Sequence, residues 1–219
     1  MTNGLILGLS GYKGSGKDSV ASILVKQHGF QRVAFADVLK DLVADLYDVE
    51  RSAMDDPERK EKPILSLPVN PKDGFGDKMF ELQYGELRDA DGWAPNPLHD
   101  TQLYHTPRSL CILIGSVNRF VRSDYWVARA LSQIKPGFNY VISDMRYRSE
   151  ASQIKEFSQG MEMAAQTVRI ERFAGCNSTD PSEHDLDDHQ FDQTLVNSGT
   201  LADLELKVQS LLDNYFPNP

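Results

Sequence analysis

The residues best arranged for chemistry lie close to the start of the chain, in the segment 11–19. Its sequence, GYKGSGKDS, matches the first seven positions of the phosphate-binding pattern G-x-x-x-x-G-K-[ST]. Glycines in such a turn allow backbone N–H groups to point inward around a phosphate chain, and the lysine reaches the β- and γ-phosphates. The residues expected to line this phosphate site are Gly11, Lys13, Gly14, Ser15, Gly16, Lys17, Asp18 and Ser19.

The eighth position of the pattern departs from the usual hydroxyl. Asp18 stands there, and a hydroxyl follows one residue later on Ser19. A carboxylate and a hydroxyl can both bind Mg²⁺, directly or through water. A magnesium contact by Asp18 or Ser19 is therefore expected, and the sequence leaves open which of the two makes it.

The loop is predicted to lie between a strand and a helix. Leu5 to Leu9 is a short apolar run typical of a buried parallel strand, and the helix is predicted over 16–27. Strands and helices alternate along the rest of the chain, which favours an α/β fold whose parallel sheet is covered on both faces. Further strands are predicted at 30–35, 140–144, 167–170 and 195–196, and further helices at 36–47, from 107 onwards, at 125–133, at 149–159 and after the capping box Thr200-x-x-Asp203.

The segment 48–106 differs in texture from the rest of the chain. Prolines and glycines are frequent in it, and hydrophobic periodicity is weak. A stretch this long without regular structure is unusual inside a compact domain unless it is functional. We therefore predict a single domain over 1–219, with an inserted segment at about 48–106 that covers the substrate.

Composition and charge argue against a nucleic-acid-binding surface and against a membrane protein. The 219 residues carry a formal net charge of −9 and no basic run, which argues against an extended nucleic-acid surface. No apolar stretch approaches the ~20 residues of a membrane-spanning helix, and no signal peptide is evident. The two cysteines form no disulfide framework, so a cytoplasmic location is expected.

Charged residues follow several predicted strands, at the ends where ligands bind in open α/β sheets. Asp37 and Lys40 follow the second strand, and Asp144, Arg146 and Arg148 follow the strand YVIS. Asp144 resembles a Walker-B carboxylate, which would hold Mg²⁺ or its waters, and the alternative is a plain turn residue. Asp37 is a candidate for contact with the metal or the acceptor, and an N-cap of the following helix is a compatible role.

Arginines supply the cations that phosphoryl transfer needs around the moving group. Arg108 lies in the first turn of a helix that Thr106 is predicted to cap. A positive charge is unfavourable at that end of the helix dipole, so phosphate binding accounts for it better than a structural role. Arg119 and Arg122 share a helical face, and for each arginine taken singly a solvated surface charge is the alternative.

Five sequence blocks follow one another in a specific order. They are GYKGSGKDS, FADVLK, TPRSLCILIGSVNRFVRSDYWV, VISDMRYRSEA and DQTLVNSGTLADLELKV. The ordered set resembles the phage deoxynucleoside monophosphate kinases, and it touches both ends of the chain and most of it outside about 48–105. The resemblance implies a three-layer P-loop kinase fold around about five parallel strands, and related kinases are often homodimers.

The same resemblance implies a reaction and a set of site residues. The expected reaction transfers the γ-phosphoryl group of ATP, with Mg²⁺, to a 2′-deoxynucleoside 5′-monophosphate, for phage DNA precursor synthesis in the host cytoplasm. Catalytic roles carry over to Lys17, Asp37, Asp144 and Arg146. Asn197 and Gly199, in the turn after the last predicted strand, are expected to border the adenine. The substrate-binding residues implied are Lys40, Arg108, Arg119, Arg122, Trp126 and Arg148, with core packing as the alternative for Trp126.

The chain departs from the family pattern at two places. No acidic residue follows Gly-Ser in GSVNR, so the choice between Arg119 and Arg122 stays open. Pro181 stands before Ser182-Glu183 where the pattern has histidine, and no site residue is assigned there. Two other functions also stay open: a P-loop kinase acting on a phosphomevalonate-like acceptor or a modified base in DNA, and a nucleotide-binding regulatory ATPase.

Overall fold

The computed structural model describes residues 3–67, 104–172, 183–213 and 215, and for 116–121 it describes the backbone alone. The chain divides into two compact units, Met1–Val38 with Asp124–Pro219, and Leu39–Ser123. Most of the predicted insertion lies outside the described residues. The organisation as one domain with an insertion therefore stays a prediction.

A five-stranded sheet forms the centre of the first unit. The strands are β1 (Leu5–Ser10), β2 (Gln31–Val33), β3 (Tyr140–Ile142), β4 (Ala164–Glu171) and β5 (Gln193–Val196). Their order is β2-β3-β1-β4-β5, and every neighbouring pair is parallel. β1 lies in the middle and is buried over its whole length. The predicted parallel α/β sheet is confirmed.

Helices precede or follow most of these strands along the described chain. They are α1 (Lys17–His28), α2 (Phe35–Tyr47), α3 (Pro107–Val121), α4 (Tyr125–Leu131), α5 (Arg148–Gly160) and α6 (Leu201–Asp213), with a 3₁₀ turn at Arg51–Met54. In the described ranges, no helix is both long enough and apolar enough to cross a membrane.

Helices cover both faces of the sheet in the first unit. On one face, the leucines of β1 belong to the same buried cluster as Leu24 of α1 and Val208 of α6. On the other face, a Cβ built on Gly8 of β1 would lie 3.0 Å from Met145 and 3.3 Å from Ile154 of α5. The first unit is therefore a three-layer arrangement of helix, sheet and helix, as predicted.

The second unit has an apolar cluster of its own. Val43 of α2, Met54 of the 3₁₀ turn and Leu110 of α3 form its buried centre, and Leu39 packs against them. The predicted apolar stripe of the helix at 36–47 includes Leu39 and Val43, so this structure accounts for that periodicity.

Two predicted helix starts are confirmed by reciprocal hydrogen bonds. The Ser109 N–H donates to Thr106 Oγ1 at 3.1 Å, and the Thr106 N–H donates to Ser109 Oγ at 2.9 Å. The Thr200 N–H donates to Asp203 Oδ2 at 2.8 Å, and the Asp203 N–H donates to Thr200 Oγ1 at 3.3 Å. Both caps were visible in the sequence because their partners lie three residues apart.

The second strand is shorter than the sequence predicts. The prediction placed a strand over 30–35 and a helix from 36, whereas β2 ends at Val33 and α2 begins at Phe35. The N–H groups of Phe35 and Ala36 donate to the two oxygens of Asp144 at 3.0 and 2.9 Å. Because this cap comes from more than a hundred residues away, local periodicity could not place the start of α2.

Asp192 fastens the start of β5 to the buried strand β4. Its Oδ2 accepts the N–H and the hydroxyl of Thr167, both at 2.8 Å, and Thr167 is fully buried. Burial raises the pKa of Asp192, but the hydrogen bonds from Thr167 and the nearby Lys155 lower it more, so the pKa lies below its usual value. The charged form is therefore the one that the native state favours.

We predict that Asp192→Asn lowers the free energy of unfolding by about 1 kcal/mol near neutral pH, because a neutral amide accepts these bonds more weakly. The difference from wild type should be present above ~3.9, the ordinary aspartate pKa, and should shrink as pH falls through the lower native value. Urea unfolding between about pH 7 and about pH 3 measures it. Asp213→Asn, on the exposed end of α6, should change stability by less than about 0.5 kcal/mol, and a pH-independent loss in Asp192→Asn would contradict the prediction.

Candidate active site

The loop between β1 and α1 adopts a backbone that requires glycine. Gly11, Gly14 and Gly16 have φ angles of 150°, 79° and 103°. A Cβ on Gly11 would lie 2.4 Å from the Ile170 carbonyl oxygen, and a Cβ on Gly16 would lie 2.3 Å from Asn197 Nδ2. The motif glycines are therefore needed both for the left-handed turn and for the close approach of β4 and the residue after β5.

The N-terminus of α1 is arranged to receive an anion. Gly16 is its N-cap residue, and within the part of the chain that the structure describes no side chain caps this end of the helix. Asp18 and Ser19 lie exposed in the first turn. Uncapped N–H groups and the positive end of the helix dipole form a site that phosphate fits. The Ser15 hydroxyl is buried in the same loop and has no hydrogen-bond partner among the described residues.

Lys17 lies over this loop. Its Nζ donates to the carbonyl oxygens of Gly11 and Tyr12, the second at 3.1 Å. Burial lowers the pKa of Lys17, the charges of Glu183 and Asp18 oppose that effect, and two nearby arginines add to it. The lysine is thus held at the loop by carbonyl groups that a phosphate oxygen can replace as its partner.

The residue after β5 ties down the loop from the side. Asn197 is buried, and its Nδ2 donates to the Ser15 carbonyl oxygen at 2.9 Å. Gly199 lies against Asp203, since a Cβ there would lie 2.5 Å from Asp203 Oδ2. Asn197 therefore contacts the phosphate loop directly, and the expectation that Asn197 and Gly199 border an adenine stays a prediction.

Asp144 follows β3 and Asp37 follows β2, and the two carboxylates lie close enough for the charge of Asp37 to affect the pKa of Asp144. Burial raises the pKa of Asp144, the N–H groups of Phe35 and Ala36 oppose that, and the charge of Asp37 raises it further. Asp37 lies in the first turn of α2 and pairs with Arg32 at 2.6 Å. The compatible role of Asp37 as an N-cap is wrong, because Asp144 caps this helix instead.

Capping α2 leaves hydrogen-bond and metal-ligand capacity on the Asp144 carboxylate. Each of its oxygens accepts one of the N–H groups described above and has a second lone pair. Carboxylate oxygens are ligands that a hard divalent cation such as Mg²⁺ prefers. The metal and catalytic roles of Asp37 and Asp144 stay predictions.

Glu183 connects the phosphate loop with Arg146, which follows β3. Its side chain is only 7% exposed. Oε2 accepts the N–H of Lys13 at 2.9 Å, and Oε1 accepts from Arg146 Nη1 at 2.7 Å. A carboxylate thus joins a loop predicted to bind phosphates to an arginine predicted to stabilise the transferred group.

The residues after Glu183 fasten the loop a second time. Asp187 accepts a hydrogen bond from the Tyr12 hydroxyl at 2.7 Å and pairs with Arg169 at 3.2 Å. The Arg169 guanidinium also lies over the Tyr12 ring, 4.5 Å from its centre. Arg148, predicted to bind substrate, donates from its N–H to Asp185 at 2.8 Å. We call residues 183–188 the acidic segment.

Several predicted substrate residues lie in the second unit. Lys40 forms an ion pair with Asp55 at 2.7 Å. Arg108 forms an ion pair with Glu61, and both of these side chains are about half exposed. Arg122 is exposed, while the side chain of Arg119 lies outside the described residues. Their roles in binding an acceptor stay predictions.

Trp126, the remaining substrate candidate, belongs to the first unit. It lies in α4, is 4% exposed, and packs edge-on against Tyr125. The structure therefore places Trp126 in the core, the alternative that the sequence left open.

Comparison with known proteins decides the family. No family model matches the sequence. Over 223 residues the chain is 30% identical to a protein of Acanthamoeba polyphaga mimivirus named "Putative deoxynucleotide monophosphate kinase", and the match covers 96% of this chain and 97% of the viral protein. This chain belongs to the deoxynucleotide monophosphate kinase family.

Two kinases are among the solved structures to which this chain is similar. The dephospho-CoA kinase from Campylobacter jejuni has a TM-score of 0.46 and 11% identity, over 98% of this chain and 97% of that one. A gluconokinase from Sinorhizobium meliloti 1021 has a TM-score of 0.40 and 13% identity, again over 98% and 97%. Identities and scores this low say nothing about the substrate of the kinase.

Sequence reasoning missed the acidic segment of this kinase. The signal for Glu183 was the Ser182-Glu183 pair, which was set aside because Pro181 replaces the expected histidine. The signal for Arg169 was an arginine inside the apolar strand VRI, because a buried arginine requires an acidic partner. Nothing local pointed to Asp187 as that partner.

We predict that Gly16→Ala abolishes ATP binding by the kinase and lowers the free energy of unfolding by about 1–3 kcal/mol, because the new Cβ meets Asn197 in a left-handed backbone. Calorimetric ATP titration and urea unfolding measure the two effects. Gly160→Ala is the matched control, since a Cβ there meets nothing within 4 Å and the residue lies in α5. Normal ATP affinity in Gly16→Ala would show that the loop geometry is not required.

Proposed function

We propose that this kinase transfers the γ-phosphoryl group of ATP to a 2′-deoxynucleoside 5′-monophosphate, giving the diphosphate. The observation that carries the proposal is the 30% identity, over nearly the whole of both chains, to a viral protein named for this activity. The phosphate loop at the N-terminus of α1 supports the donor side of the reaction, because its geometry suits a triphosphate.

The donor phosphates are held by the loop and by Lys17. The N–H groups at the start of α1 have no side-chain cap, so they are available to phosphate oxygens. Lys17 exchanges the carbonyl groups of Gly11 and Tyr12 for the β- and γ-phosphates. This exchange restores a full charge partner to a lysine whose pKa burial has lowered.

The residues that would hold Mg²⁺ are Asp18 or Ser19 in the first turn of α1, with Asp144 after β3. When bound, the ion offsets negative charge on the phosphate oxygens as the phosphoryl group moves. Asp144 meanwhile keeps α2 in place through the N–H groups of Phe35 and Ala36.

The chain's own contribution to the reaction is charge placement and orientation. Lys17 and Arg146 stabilise the negative charge that spreads over the transferred group. Arg108, together with Arg119 or Arg122, holds the acceptor phosphate. The acceptor oxygen is already anionic, so the reaction needs no strong general base and no covalent intermediate.

The proposal is tested by one acceptor panel. ADP release is measured with ATP, Mg²⁺ and, in turn, each deoxynucleoside monophosphate, each ribonucleoside monophosphate, phosphomevalonate and DNA. We expect release that depends on at least one deoxynucleoside monophosphate and is absent in Lys17→Ala, which should keep its fold. Lys26→Ala, on the exposed side of the same helix, is the control and should retain wild-type turnover.

Two results would overturn the proposal. Turnover with phosphomevalonate or DNA alone would assign the loop to a different acceptor. Full-rate ATP hydrolysis without any acceptor would identify a regulatory ATPase instead.

A further inference from the structure

Positive side chains converge at the phosphate loop. Lys17 lies on the loop, and the charges of Arg146 and Arg169 both act on it unfavourably. Within the described part of the chain, two carboxylates of the acidic segment pair with these arginines, Glu183 with Arg146 and Asp187 with Arg169. The acidic segment therefore supplies the counter-charge that lets these cations converge.

We propose that Glu183 is a positioning residue of the transfer reaction, which holds the Arg146 guanidinium beside the phosphate loop and stays in place during turnover. This inference rests on the proposed function, because Arg146 has a task only if a phosphoryl group passes through the loop. Glu183 acts through Arg146, while the hydrogen bond from the Lys13 N–H holds Glu183 itself in place. It does not itself touch the transferred group.

The contacts of Glu183 require a carboxylate. Both of its partners, the Lys13 N–H and the Arg146 guanidinium, are hydrogen-bond donors, and each uses a different oxygen. Glutamine has one acceptor oxygen and one donor NH₂ group, so it can satisfy only one of the two partners. Aspartate keeps both acceptors, but it is one methylene shorter and must stretch one contact.

The surroundings of Glu183 favour a fixed carboxylate over one that phosphate displaces. Leu186, three residues further on, is 1% exposed and anchors the acidic segment in the core. Asp185 and Asp187 bind the start of α5 and the Tyr12 hydroxyl, so the segment is fastened on both sides. These contacts fix the backbone that carries Glu183, so its carboxylate starts from a defined position at the loop.

The position of the Lys13 contact leads to the same conclusion. Glu183 takes the N–H of Lys13, on the β1 side of Gly14. It leaves the N-terminus of α1 without a side-chain cap. The Lys13 N–H, which the sequence placed at the phosphate site, thus binds Glu183 in this proposal. The anion site of the helix and the carboxylate site then use different N–H donors, and both can be filled at once.

The first experiment compares Glu183→Gln and Glu183→Asp with wild type, using the best acceptor of the panel above. We expect kcat to fall about 10- to 100-fold in Glu183→Gln, because the guanidinium loses its fixed position. Glu183→Asp should recover part of that loss, and the ATP dissociation constant should change less than about threefold in both. Glu156→Gln, the same change at an exposed glutamate of α5, is the control and should retain wild-type kcat.

The second experiment asks whether Glu183 works through Arg146. Arg146→Ala is compared with the double variant Arg146→Ala/Glu183→Gln by single-turnover transfer of labelled phosphate. If Glu183 only positions Arg146, the double variant should be no slower than Arg146→Ala alone. Multiplied losses would assign Glu183 a separate role and overturn the inference.

Two further outcomes also overturn it. Tighter ATP binding with equal or faster turnover in Glu183→Gln would show a carboxylate that competes with phosphate. Unchanged kcat in that variant would show that Arg146 needs no positioning. Either result presupposes an active wild type, whereas a wild type inactive with every deoxynucleoside monophosphate would refute the proposed function instead.

Discussion

The backbone N–H groups at the start of α1 set the main constraint on this protein, because no side chain of the described residues caps them. A helix end without caps leaves donors that need an acceptor, and the dipole favours an anion there. The loop leading into the helix can turn as it does only with glycine at Gly11 and Gly16, where neighbouring atoms leave no room for a Cβ. The middle position of β1 in the sheet then places this anion site at the carboxyl edge, between the ends of β3 and β4.

Much of the first unit around this site balances the positive charges that lie close together there. Lys17 is partly desolvated, and two arginines stand near it. The acidic segment balances them: Glu183 joins Lys13 to Arg146, and Asp187 holds Tyr12 and Arg169. Asp144 caps α2 with both of its oxygens, and the charge of the nearby Asp37 raises its pKa. The residues that hold this part of the fold together are therefore largely the same residues that surround the candidate site.

Much of this could be predicted from the sequence wherever the signal is local. The strand, glycine turn and helix at the start of the chain, the parallel sheet and the caps at Thr106 and Thr200 all depend on local sequence signals, and the structure agrees. The start of α2 was misplaced because its cap, Asp144, lies far along the chain. Glu183 was missed for the same reason: its partners Lys13 and Arg146 are 170 and 37 residues away, so no spacing rule applies.

The central claim, that the loop and the start of α1 grip a triphosphate, is tested most directly by the amide NMR signals of residues 14–19. Assigned ¹H–¹⁵N spectra would be recorded while ATP, and separately inorganic triphosphate, is added. The account predicts that these amide protons move downfield with both ligands, because their N–H groups donate to phosphate oxygens. Unchanged signals from 14–19, with the shifts falling on residues elsewhere, would contradict it.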